Sequence, residues 1–124
     1  MHMVKGNKNV FHCNVELTID IIGGKWKPLI MHHIENSGVI RYGELKRKIP
    51  NINERVLSRQ LRELEECELI HRKVYNELPL KVEYSITEIA KTLAPILEAL
   101  GEWGIKYNQK FNYGEINFED EYQE

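Results

Sequence analysis

Three arginines, Arg55, Arg59 and Arg62, recur in the stretch "INERVLSRQLREL" at residues 52–64, interleaved with Leu57, Leu61 and Leu64. At about 100° per residue, a helix here gathers the leucines on one side and the guanidinium groups on nearly the opposite side. The leucines need a protein core. The arginines have two candidate surroundings. One is solvent, with Arg59 and Arg62 pairing along the helix to Glu63, Glu65 or Glu66, contacts that contribute only about 0.2–0.5 kcal/mol each. The other is a DNA groove, where a guanidinium pairs bidentately with guanine.

The elements around the stretch favour DNA. Upstream, Tyr42, Leu45 and Ile49 keep helical spacing, and Pro50 ends that helix because the residue before proline avoids helical backbone. Ile40 and Arg41 make a brief extended piece before it. "NIN" is then the turn, with Asn53 as N-cap of the arginine helix. Two helices joined by so short a turn form a helix-turn-helix. Downstream, Val82, Tyr84 and Ile86 alternate with polar residues opposite the run "LIHRKVYNE", and "LPL" turns between them. This predicts a two-stranded hairpin, the element called a wing in DNA-binding domains.

Further out, "CNVELTIDII" predicts a first helix, apolar most of the way round and hence buried on more than one face. Gly23 and Gly24 end it, Pro28 opens a second helix, and "NSG" closes that one. After Thr87 and Glu88, an apolar stripe from Ile89 to Phe111 predicts one long last helix, kinked at Pro95. That stripe is longer than a 124-residue domain covers from its own surface, which predicts a second copy of the chain against it. Trp26 and Trp103 stand at core-like positions, with lining of an effector pocket near the dimer seam as the alternative. The fold class expected is mainly α with a small β-hairpin wing. It is a single domain over 1–124, with flexible ends at 1–12 and 113–124.

A recognition helix presents its N-terminal half to the major groove, and that half carries Asn53, Arg55, Ser58 and Arg59. Glu63, Glu65, Glu66 and Glu68 crowd the other end, where they repel phosphate least. Arg55 or Arg59 suits guanine, while Asn53 and Ser58 are short donors for base edges or phosphate. Arg62, Lys46 and Lys48 suit phosphate, and Lys81 on the wing reaches backbone or minor groove. The net charge of −2 is no obstacle, because the last ten residues hold five acidic and no basic groups. Without them 17 basic face 14 acidic residues, a surplus that can form a local basic patch.

Four stretches in order carry a family resemblance: "CNVELTIDIIGGKWKPLI", "RYGELKRKIPNINERVLSRQLRELEECELI", "YNELPLKVEYSITEIAKTLAPILEAL" and the closing "WG". Together they span roughly residues 13 to 104. In this combination the chain resembles the HxlR-type winged helix-turn-helix transcriptional regulators of bacteria, relatives of the MarR type. The resemblance implies a dimer assembled through N- and C-terminal helices, which binds double-stranded operator DNA and usually represses transcription. Three positions depart from the family pattern. Glu68 stands where glycine usually ends the recognition helix, the wing tip reads "PL" rather than two prolines, and Ala90 replaces a common glycine. None of them is a DNA-facing arginine.

Cys13 lies where the family often has a cysteine and where some members sense oxidants or electrophiles. A helix N-terminus makes a thiol more nucleophilic, and an inert, partly buried residue is the alternative. Cys67, at the end of the recognition helix, reads as filler. Two cysteines make no disulfide framework, and no C-x-x-C or H-x-x-x-H pair points to metal. No cofactor is expected, nor an enzyme, since no nucleophile–base pair or phosphate-cradling loop stands out. With no apolar run of about 18 residues and no secretory layout, a cytoplasmic protein without membrane contact is expected. A protein-interaction module on the same fold is the alternative function.

Overall fold

A side chain at position 23 would drive its Cβ into the carbonyl oxygen of Ile19, and Gly24 holds a left-handed φ of +85°. The glycine pair therefore ends the first helix and turns the chain towards the second. The computed structural model describes residues 9–117. Along them run α1 (Asn14–Ile22), α2 (Lys27–Ser37), β1 (Ile40–Arg41), α3 (Tyr42–Lys48), α4 (Glu54–Glu66), β2 (Ile70–Tyr75), β3 (Lys81–Ile86), α5 (Glu88–Lys91) and α6 (Ala94–Phe111). The expected flexible ends fall mostly outside the described residues. At the near edge of the second, Asn108 exchanges two 2.9 Å hydrogen bonds with the backbone of Gly114.

The core joins Ile30, Met31 and Ile34 of α2 to Leu45 of α3 and to Leu57, Leu61 and Leu64 of α4. Ile70, Tyr84 and Ala90 close it from the sheet and α5. Asn53 caps α4 as its sequence predicts: its side-chain oxygen accepts from the Val56 N–H at 2.8 Å. Such a cap contributes about 1 kcal/mol.

Glu68, standing where the family pattern has glycine, adopts a φ of +60°. A left-handed non-glycine residue costs about 1–2 kcal/mol. The position is fixed all the same, because the Thr87 hydroxyl donates to the Glu68 carbonyl at 2.8 Å and the Thr87 N–H to the Leu69 carbonyl at 3.1 Å. Glu68→Gly is expected to raise unfolding stability by about 0.5–1 kcal/mol, the remainder after glycine's extra chain entropy. Urea denaturation of the two proteins measures it, and no gain would mean that the turn tolerates glutamate without strain.

The structure departs from the sequence expectations in four places. The wing is a three-stranded antiparallel sheet in the order β1-β3-β2, because Ile40 and Arg41 pair with Tyr84 and Glu83. The last helix is broken rather than kinked. Thr92 and Leu93 bond back only three residues, to Ile89 and Ala90. A new helix then starts with Pro95 in its first turn, where a missing N–H leaves nothing unpaired. Helix α1 buries only Ile22, while Val15, Leu17 and Ile19 lie open. Trp103 is 64% exposed rather than a core residue, whereas Trp26 does pack against the core.

Candidate nucleic-acid interface

Helix α4 is divided as its sequence implies. Leu57, Leu61 and Leu64 are buried, and Arg55, Ser58, Arg59 and Arg62 are exposed on the other side. The intrahelical pairing expected of a merely solvated face does not occur. Among the described residues no hydrogen bond or ion pair engages the side chains of Arg55, Arg59 or Arg62. Arg59 and Gln60 form one wall of a shallow groove whose other wall is the turn at 23–27. Asn53 has spent its side-chain oxygen on the cap, so only its NH2 group remains to face outward.

What holds the arginine face in place is not visible in the pattern of α4 itself. Lys27, 6% exposed at the start of α2, makes a 2.7 Å ion pair with Glu63. This pair moors the C-terminal end of α4 to α2. At the other end, the Tyr42 hydroxyl of α3 lies 3.2 Å from the Glu54 carbonyl oxygen and 3.3 Å from Ser58 Oγ. Lys46 reaches over the turn to the Pro50 carbonyl at 3.5 Å. It therefore braces the turn as well as standing beside the helix, and Lys48 is half-buried.

On the wing, residues 71, 73 and 75 of β2 face the same side of the sheet as 81, 83 and 85 of β3 and as Arg41 of β1. This outer face gathers Arg41, His71, Lys73 and Lys81 about one carboxylate, Glu83. Lys81 is committed within the sheet, 3.4 Å from Glu83 and 4.5 Å above the Tyr75 ring. The Tyr75 hydroxyl donates to Glu83 at 2.8 Å. That bond first, and the charge of Lys81 after it, hold the Glu83 carboxyl below the usual glutamate range. The wing contact is therefore complete at neutral pH and fades as Glu83 protonates in acid. Lys73, more exposed, also lies over the Tyr75 ring, at 4.8 Å, but among the described residues it makes no ion pair and is to that extent the freer wing cation.

Sequence reasoning missed three of these residues. Tyr42 was legible only as an apolar helix position, and Lys27 only as a residue of the turn before Pro28. Lys73 was hidden inside a strand whose phase Arg72 interrupts.

The cysteines have different environments. Cys13 is exposed and occupies the N-cap position of α1 in extended backbone, with its carbonyl accepting from Leu17 N–H at 3.3 Å. Cys67 packs partly against the core. Burial pushes its thiol pKa up, Lys27 opposes that, and Glu66, Glu63 and Asp20 reinforce it. Its thiolate is correspondingly scarce. Among the described residues no group of three histidine, cysteine or acidic side chains is placed to hold a metal ion. No helix among them is long and apolar enough to cross a membrane.

A helix-turn-helix followed by a strand hairpin defines the winged-helix class of transcriptional regulator. The chain belongs to one family within it, the HxlR-like helix-turn-helix proteins, whose family model matches residues 21–112. It is 48% identical over 109 residues to the HTH-type transcriptional regulator YkvN of Bacillus subtilis, covering 88% of this chain and 91% of that one. An HTH-type regulator of Methanothermobacter thermautotrophicus is 48% identical over 104 residues, with 83% and 79% covered. Among solved structures, the redox regulator HypR in its oxidised form is similar, with a TM-score of 0.71 and 48% identity over 76% of this chain and 96% of that one. The reduced form of the transcriptional regulator YodB of B. subtilis is similar too, with a TM-score of 0.66 and 29% identity over 86% and 100%. The protein is a transcriptional regulator with a helix-turn-helix fold, not an enzyme.

Proposed function

We propose that this regulator binds double-stranded operator DNA in a sequence-specific way as a homodimer, represses transcription in the cytoplasm, and responds to oxidants or electrophiles through Cys13. The observation that carries the DNA reading is the unpartnered arginine face of α4, opposite a leucine face buried to 0–2%. Arg55 and Arg59 are assigned to base edges, and Arg62, Lys46 and Lys48 to phosphate. Asn53 contributes through its free NH2 group. On the wing Lys81 is joined by Lys73. Dimerisation is supported by what is left bare: Ile96, Leu100, Trp103, Tyr107 and Phe111 of α6, and Val15 and Ile19 of α1, are all exposed in the single chain. A second copy against these helices covers them and sets the spacing of two recognition helices.

Binding to genomic DNA fragments followed by footprinting tests this. A protected site with two-fold related halves and an affinity that falls steeply with salt is expected. The bare aromatic face of α6 also suits a protein-interaction module that never touches DNA, and a protein that retains no fragment at low salt would favour that reading.

The Cys13 assignment rests on its exposure at a helix start and on the similar structures, which include oxidised and reduced HypR and reduced and diamide-treated YodB. A mild oxidant or a quinone is expected to change operator affinity of the wild type and leave Cys13→Ser unmoved. Equal responses in gel shifts of both proteins would return Cys13 to a structural role.

A further inference from the structure

The two contacts of the Tyr42 hydroxyl, taken as hydrogen bonds made together, are compatible with one arrangement of protons. Its oxygen is 3.2 Å from the Glu54 backbone oxygen and 3.3 Å from Ser58 Oγ. A backbone carbonyl can only accept, and a phenol has a single proton to give. The Tyr42 proton therefore goes to Glu54. The bond between Tyr42 and Ser58 then requires Ser58 to donate, and the serine proton is turned inward onto the phenolic oxygen. What the exposed Ser58 hydroxyl presents outward is lone pairs alone.

This reverses the role a serine at that position would take by default. A free hydroxyl rotates to give or accept as its neighbour demands, which makes it a weak discriminator between bases. With its proton committed, Ser58 accepts from an exocyclic amine and faces guanine O6, thymine O4 or a phosphate oxygen with lone pair against lone pair. In the major groove the amines are cytosine N4 and adenine N6. We propose, on the reading that α4 enters a DNA groove, that Tyr42 is a positioning residue which fixes Ser58 as a hydrogen-bond acceptor. The base facing Ser58 in each half-site is then an adenine or a cytosine, and Ser58 holds no phosphate.

Selection of binding sites from a random duplex library by full-length wild type, Ser58→Ala and Tyr42→Phe tests this. Affinities are then compared on the wild-type site and on the same site with one amine deleted, using purine for adenine or 2-pyrimidinone for cytosine. Wild type is expected to enrich adenine or cytosine at one position per half-site that Ser58→Ala leaves unselected. Tyr42→Phe, which keeps the ring and its packing, is expected to relax that same position and leave the others sharp. Deleting the amine is expected to weaken wild type by roughly tenfold and both variants by much less. Enrichment of guanine or thymine at the Ser58 position overturns the polarity. A Tyr42→Phe protein with the wild-type preference, or one weakened equally on every sequence, reduces Tyr42 to a structural tether and overturns the proposal. An unaltered preference in Ser58→Ala does the same. A wild-type protein that enriches no sequence overturns the DNA reading itself, so the two failures are distinguishable.

Discussion

Arg59→Ala is expected to lower operator affinity by roughly 5- to 150-fold per half-site, the range of one good bidentate base contact. Two copies on a two-fold site would double the loss in free energy. The side chain is exposed and, among the described residues, carries no ion pair. Its removal should therefore move unfolding stability by no more than about 0.5 kcal/mol. The salt dependence separates a base contact from a phosphate contact. If Arg59 reads a base, the loss falls on one base pair and the slope of affinity against salt stays as in wild type. If it holds phosphate, the loss is spread over all sequences and the slope flattens by about 0.9 per contact. Arg62→Ala, assigned to phosphate, is expected to show the second pattern. Unchanged affinity in both Arg59→Ala and Arg55→Ala would remove the arginine face from any role in binding.

Glu63→Gln is expected to cost about 3 kcal/mol of folding stability, near the lower end for breaking one partner of a buried pair. The lower end applies because the Glu63 side chain keeps 18% exposure while that of Lys27 keeps 8%. The loss comes from stranding the Lys27 ammonium among the residues of α2 and α4 with only a neutral amide facing it. Replacing both partners, Lys27→Met with Glu63→Leu, should recover much of it, since the desolvation of both charges disappears with them. Denaturation of Lys27→Met, Glu63→Leu and the double variant forms a cycle that measures the coupling. A single variant as stable as wild type would show that water, not Glu63, balances Lys27. Operator binding by Glu63→Gln under folding conditions would further show whether this mooring also sets the angle at which α4 is presented.

The helix-turn-helix was legible because its signals are local. Leucine and arginine spacing set the two faces of α4, Asn53 marked its start, and Pro50 marked the end of α3. The hairpin followed from alternation at Val82, Tyr84 and Ile86. The missing glycine at position 68 was legible as well, and the left-handed backbone found there shows what that substitution costs. Local signals misjudged the last helix. A stripe that keeps helical spacing through Thr92 and Leu93 does not reveal that two tight turns reset the axis before Pro95. They showed Ile40 and Arg41 as extended but not their pairing with β3, because two extended residues carry no period of their own to mark a partner strand.

By itself, then, the sequence determined which residues share a helix face, where most elements begin and end, and that arginines stand opposite leucines on α4. Only the tertiary structure decided what meets across elements: Lys27 with Glu63, Tyr42 with Glu54 and Ser58, and Tyr75 with Glu83. Only it showed which part of the last apolar stripe lies open, Trp103 included. The reason is physical. Periodicity is a property of consecutive residues and survives in a one-dimensional pattern. A contact between residues far apart depends on how the packed helices are set against one another, and the burial of an apolar stripe depends on which surface arrives to cover it.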